Sequence, residues 1–124
     1  MKQIAYTIFG LWMGLAGPAT AGPVQISMEL GDYRFKPARL EVSVGQEVEL
    51  KLTNTDSITP HNFVLKAPEA GLDMTVDVPP GASKTVRFTP GKPGFFPFYC
   101  DKRLLFFKSH RERGMHGVLT VNAK

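Results

Sequence analysis

The feature that most constrains this chain is an alternation of period two that is repeatedly interrupted. Val48, Leu50 and Leu52 alternate with Glu47, Glu49, Lys51 and Thr53. Leu40, Val42 and Val44 alternate with Glu41 and Ser43, and Val86 and Phe88 alternate with Thr85, Arg87 and Thr89. Successive side chains of an extended chain point to opposite faces, so this spacing sorts apolar residues to one side and polar residues to the other. Val24, Ile26, Met28 and Leu30 repeat the pattern more loosely, and residues 61–65, 95–100 and 118–121 are further extended runs. No long segment carries apolar residues three or four apart, as a helix would require. Turn formers close the runs: Gly31-Asp32, Gly45-Gln46, Pro79-Pro80-Gly81 and Pro90-Gly91-Lys92-Pro93-Gly94. About seven or eight short strands separated in this way predict an all-β fold, a Greek-key β-sandwich. Residues 67–78 are ambiguous by these rules, and a loop with a single helical turn is one reading of them. There is no internal repeat, low-complexity tract or second domain.

The first residues follow a different rule. Lys2 precedes an uncharged, largely apolar run over residues 4–17, then Pro18 and the small-residue sequence Ala19-Thr20-Ala21. Positive start, apolar run and A-x-A end make a secretory signal peptide. The other reading is a membrane anchor, but the run falls short of the roughly 20 residues that span a bilayer. Cleavage after Ala21 is expected, giving a leader over 1–21 and a domain over 22–124 in the periplasm, with no stable membrane insertion. That domain is long enough to bury one core without disulfides. The formal charge is +4, and loss of Lys2 with the leader lowers it by one. So mild an excess, with no basic run interleaved with stacking aromatics, argues against nucleic acid and for an acidic face on a protein partner.

The chain has one cysteine, so it forms no internal disulfide. A spare thiol in an exported protein is open to oxidation unless a metal or burial protects it. Cys100 ends an aromatic run, His110 follows after nine residues, Met115 after four more, and Val118 opens the last strand. One loop thus carries a thiol, an imidazole and a thioether, while His61 stands far upstream after Pro60. Loops at one end of a sandwich cluster, which lets distant donors meet. Thiolate and thioether suit Cu(I), and imidazole suits both copper states; two His, one Cys and a weak axial Met form an electron-transfer site. Each residue has a plainer reading: Cys100 as a core residue, His110 as a surface histidine, His61 as a strand cap, Met115 as core. His116 rivals Met115 for the axial position, but neighbours in an extended chain face opposite ways.

Phe98-Tyr99-Cys100, then His110-x4-Met115-x-Gly117-x-x-Thr120-Val121, resembles the ligand loop and last strand of the cupredoxins. Phe35-x-Pro37-x-x-Leu40-x-Val42-x-Val44-Gly45-x-x-Val48 is similar to their N-terminal hairpin, and Pro60-His61-Asn62 to their upstream ligand and its neighbour. The resemblance implies one copper ion held by His61, Cys100, His110 and Met115, with Asn62 tying the two ligand loops together. It also implies a redox protein partner docking near the loop from Cys100 to Met115, and a monomer. Two features depart from plastocyanin and azurin. The loop from Cys100 to His110 is longer, closer to that of copper nitrite reductases, and it holds the run Leu104-Leu105-Phe106-Phe107 flanked by Lys102, Arg103, Lys108, Arg111 and Arg113. Those four residues either pack a flap over the sandwich or form an apolar docking face, and some of them are expected to be buried.

A one-electron carrier is therefore the leading expectation, with a copper-handling or tolerance protein using the same ligands as the alternative. The chain is not expected to be an enzyme. It has no Gly-x-Ser-x-Gly elbow, phosphate-binding Gly loop or zinc-protease His pair, and too few histidines for a second, catalytic metal.

Overall fold

The computed structural model describes residues 22–124, and the leader expected over 1–21 lies outside the described residues. The strands are β1 (Val24–Gly31), β2 (Arg34–Lys36), β3 (Arg39–Ser43), β4 (Val48–Asn54), β5 (His61–Ala67), β6 (Leu72–Val78), β7 (Ser83–Phe88), β8 (Gly94–Tyr99) and β9 (His116–Asn122). One 3-10 turn, Pro68–Ala70, lies between β5 and β6. One sheet has the order β2-β1-β4-β7 and the other β3-β9-β8-β5-β6. This is the all-β sandwich that the alternation predicts.

Nine strands appear among the described residues, against the seven or eight expected. β2 is only three residues long. β6 occupies most of the segment left ambiguous in the sequence, pairing with β5 along its length from His61↔Val78 to Ala67↔Leu72. It sits at a sheet edge, with Leu72, Met74, Val76 and Val78 alternating with exposed Asp73, Thr75 and Asp77, the same period of two that marks β4, so this strand was legible in the sequence.

The apolar members of the alternation form the core. Val48, Leu50 and Leu52 are fully buried from β4, and Phe63 and Phe98 meet them from the opposite sheet. Phe98 packs on Phe63 with ring centroids 5.0 Å apart and on Phe35 at 5.1 Å. Phe95, on the other side of β8, is 76% exposed, as alternation requires. Gly117 stands opposite Phe98 in the β8–β9 register. A Cβ there would overlap the Ala38 carbonyl oxygen and press on the Phe98 ring.

Two parallel pairings organise the chain. β1 runs parallel to β4 and β3 parallel to β9, so each sheet joins segments remote in sequence. The β1–β2 turn, the β4–β5 loop and the β8–β9 loop meet through the contacts of their side chains, and the candidate site lies where they meet. No helix among the described residues is long and apolar enough to cross a membrane.

Candidate metal centre

His61 opens β5, Cys100 follows the end of β8, and His110 and Met115 lie in the loop that leads to β9. The loop is closed at its base, where the Cys100 N–H donates to the Met115 carbonyl at 3.1 Å. That bond brings the two ends together whatever the length between them, so a long insertion leaves the donors in place. Within the loop, residues 109–112 read Ser-His-Arg-Glu, a capping box. The Ser109 N–H donates to Glu112 Oε1 at 2.7 Å, and the Glu112 N–H donates to Ser109 Oγ at 3.1 Å. These bonds hold the Glu112 carboxyl below its usual value. They also shape a tight turn, in which the Met115 N–H donates to the His110 carbonyl at 3.0 Å and the His110 N–H to the Lys102 carbonyl at 2.8 Å.

The donor atoms converge. His61 Nδ1 lies 3.2 Å from His110 Nδ1, and Cys100 Sγ lies 3.5 Å from His110 Nδ1 and 4.0 Å from His61 Nδ1. Donors that share one ion are separated by less than the sum of their two bond lengths. For a first-row ion such as zinc that limit is about 4.1 Å between two imidazole nitrogens and about 4.4 Å between nitrogen and thiolate. All three spacings satisfy it. The donors are buried as well: Cys100 is 0% exposed, His61 1% and His110 6%. Met115 is fully buried and joined through its backbone to both Cys100 and His110. His116, its rival in the sequence, is exposed.

The surroundings orient the donors and bias their protonation. His61 Nε2 lies 2.7 Å from Asp56 Oδ2. A carboxylate only accepts, so Nε2 carries a hydrogen, and Nδ1 is the nitrogen that faces His110 and Cys100. The Asn62 backbone N–H donates to Cys100 Sγ at 3.3 Å. Burial pushes the Cys100 thiol up, and this bond opposes it. Burial first, then the neighbouring His61 ring and the Arg113 charge, push the His110 imidazole below its usual value, which favours its neutral form. A neutral imidazole is the form that binds a metal, and a cation at the thiol would deprotonate it outright. The Asn62 side chain bridges the two loops, donating through Nδ2 to Asp101 Oδ1 at 2.8 Å and accepting from the Asp101 N–H at 3.0 Å.

Residues 3–121 match the family described as Cupredoxin-like domain. The chain belongs to the cupredoxin family. This cupredoxin is 33% identical over 93 residues to cytochrome c oxidase subunit 2 of Thermus thermophilus, a match covering 70% of the chain and 64% of that protein. The chain therefore spans less than two thirds of the length of that relative. It is 29% identical over 110 residues to plastocyanin of Dryopteris crassirhizoma, covering 79% of the chain and 97% of the relative. Among solved structures, dithionite-reduced auracyanin from Roseiflexus castenholzii superimposes with a TM-score of 0.63 at 23% identity, covering 82% of this chain and 98% of that one. At that identity the likeness is one of fold. The cofactor of this cupredoxin is copper, and a buried set of two imidazoles, a thiol and a thioether suits it.

Three features of the centre were not singled out from sequence. Asp56 carried no signal within a polar loop. Tyr33, whose ring stands edge-on to His110 with centroids 4.9 Å apart, looked like one more turn residue. Ser109 and Glu112 were legible as S-x-x-E. The apolar run also differs from expectation, since none of it is buried: Leu104 is 66% exposed, Leu105 73%, Phe106 84% and Phe107 50%. The run forms a turn, closed by the Phe107 N–H on the Leu104 carbonyl at 3.0 Å. Its backbone thereby turns back on itself without laying the four side chains on the core.

Proposed function

We propose that this cupredoxin is an exported, periplasmic one-electron carrier in which His61, Cys100, His110 and Met115 hold one copper ion. The observation that carries the reading is the convergence of three buried donors within 4.0 Å of one another. Copper supplies a Cu(I)/Cu(II) couple there. The sandwich supplies rigidity: the donors hang from strand ends and from a loop closed on itself, so little rearranges when the charge changes. The three donors are almost wholly buried, which favours electron transfer over bond chemistry.

The approach to the site also favours a carrier. His110 lines two clefts, one with Tyr33, Phe107 and Arg113 and the other with Ile58, Pro60 and Leu104. Residues 101–113 hold five cations and two carboxylates, a net +3. Lys102 pairs with Asp77 and Arg103 with Glu112, while Lys108, Arg111 and Arg113 have no carboxylate partner among the described residues. Arg111 lies over Tyr99 and Arg113 over Tyr33, close to Cys100 and His110. An apolar tip with a basic rim beside the buried imidazole fits a redox protein whose docking face is apolar at its centre and acidic at its edge. The carrier acts as a monomer, and its leader is removed after Ala21.

The test is the visible spectrum after adding Cu(II) to the purified protein. A strong thiolate-to-copper charge-transfer band is expected, and Cys100→Ser abolishes it. A colourless adduct of the wild-type protein would end the assignment.

A further inference from the structure

Asp56 has two partners that the copper site alone does not require. Its Oδ2 lies 2.7 Å from His61 Nε2. The same carboxylate accepts from the Asp32 backbone N–H, with distances of 3.3 Å to Oδ1 and 3.2 Å to Oδ2. Asp32 and Tyr33 are the two central residues of the β1–β2 hairpin, between Gly31 and its register partner Arg34. Both have positive φ, 53° and 57°. A two-residue hairpin turn of this kind prefers Asn-Gly or Asp-Gly, and a tyrosine in its second position adopts φ > 0 only at a cost. Here something outside the hairpin holds the turn, and what it holds is the Tyr33 ring against His110 and, 6.2 Å away, His61.

Asp56 is itself anchored. Its N–H donates to Asn54 Oδ1 at 2.9 Å. Asn54 is 1% exposed, and its Nδ2 donates to the carbonyls of Thr59 and Val78, both at 2.9 Å. The Thr55 N–H donates to the Leu30 carbonyl at 2.9 Å, fastening the same loop to β1. The chain of contacts therefore runs from the buried Asn54 to Asp56, and from Asp56 to both imidazoles: directly to His61, and through the Asp32–Tyr33 turn to His110.

We propose that Asp56 is a positioning residue that clamps both copper imidazoles, His61 by its Nε2–H and His110 by seating Tyr33 against it. The carboxylate selects the His61 tautomer whose Nδ1 lone pair faces Cys100, and its negative charge favours the more positive ion, Cu(II). The copper half of this inference rests on the proposed function; the clamp itself does not.

The experiment compares Asp56→Asn and Asp56→Ala with Asp73→Asn. Asp73 is an exposed carboxylate paired with Lys66 at 2.8 Å on the outside of β5 and β6, so its variant controls for the loss of one charge. In the metal-free proteins, NMR of the imidazole rings reads the clamp directly. Both Asp56 variants are expected to shift the His61 and His110 ring resonances, and Asp73→Asn neither. A shift confined to His61 overturns the Tyr33 half, and no shift in either ring overturns the whole. In the copper-loaded proteins, Asp56→Asn is expected to bind Cu(II) about 10–100-fold more weakly in competition with a chelator, the range typical of losing a partner behind a metal ligand. Its reduction potential is expected to rise. Unchanged affinity and potential, with copper bound normally by the wild type, would overturn the electronic role. Failure of the wild type to bind copper would instead refute the proposed function and leave the ring shifts as the measure of the clamp.

Discussion

Asn62→Ala is the sharpest test of how the two ligand loops are joined. The side chain is 2% exposed and makes two bonds to Asp101, one through each amide atom. A hydrogen bond within a protein contributes about 0.5–1.5 kcal/mol net, because the unfolded chain bonds to water. Two bonds give about 2 kcal/mol. Asp101 is exposed, so water can reach the groups left behind and no large extra penalty is expected. For a domain of this size 1 kcal/mol shifts Tm by about 4–8 °C, so the metal-free variant should melt about 8–16 °C lower by circular dichroism. Asp101→Ala removes only the bond to Oδ1, since the Asp101 N–H still reaches Asn62 Oδ1. It should cost about half as much, and nothing further in the Asn62→Ala background, a coupling of about 1 kcal/mol. The backbone N–H of residue 62 remains on Cys100 Sγ in all three variants, so the thiol's environment is preserved. Additive single-mutant costs, or an Asn62→Ala Tm within 2 °C or so of wild type, would refute the bridge.

Met115→Leu should keep the coloured copper complex and raise its potential, because a weak donor to Cu(II) is lost, whereas His116→Ala should change the potential far less; a larger effect at His116 would reverse the axial assignment. Gly117→Ala should destabilise the fold by about 1–3 kcal/mol in urea unfolding, because the new methyl meets the backbone of Ala38 as well as the movable Phe98 ring. Metal-free stability should be greatest near neutral pH. His110 is held below its ordinary value of 6.5, so below that pH the unfolded chain binds the proton first and stability falls. Cys100 is held above its ordinary value of 9.0, so above that pH the unfolded thiol ionises first and stability falls again. Urea midpoints measured at about pH 5, 7.5 and 10 check both limbs, and equal midpoints would contradict them.

Whatever depends on near neighbours in the chain could be read directly from the residues. Period two set which side of β3, β4 and β7 faces the core, since the direction of a side chain in a strand follows from its position alone. Cys100, His110 and Met115 were legible as a group because one loop carries them all, and Ser109 with Glu112 followed a local rule that could have been read. Asn62 was legible only through its place beside His61 in a family pattern. The remainder depends on contacts between segments far apart in the chain. Local alternation does not reveal that β1 pairs with β4 or β3 with β9, because the pattern is the same whichever strand lies alongside. Asp56 and Tyr33 acquire their roles only when those pairings bring the β1–β2 turn and the β4–β5 loop to the same end as Cys100. The exposure of Leu104 to Phe107 was decided in the same way: hydrophobicity favours burial, but only the surrounding fold determines whether there is anything for those side chains to be buried against.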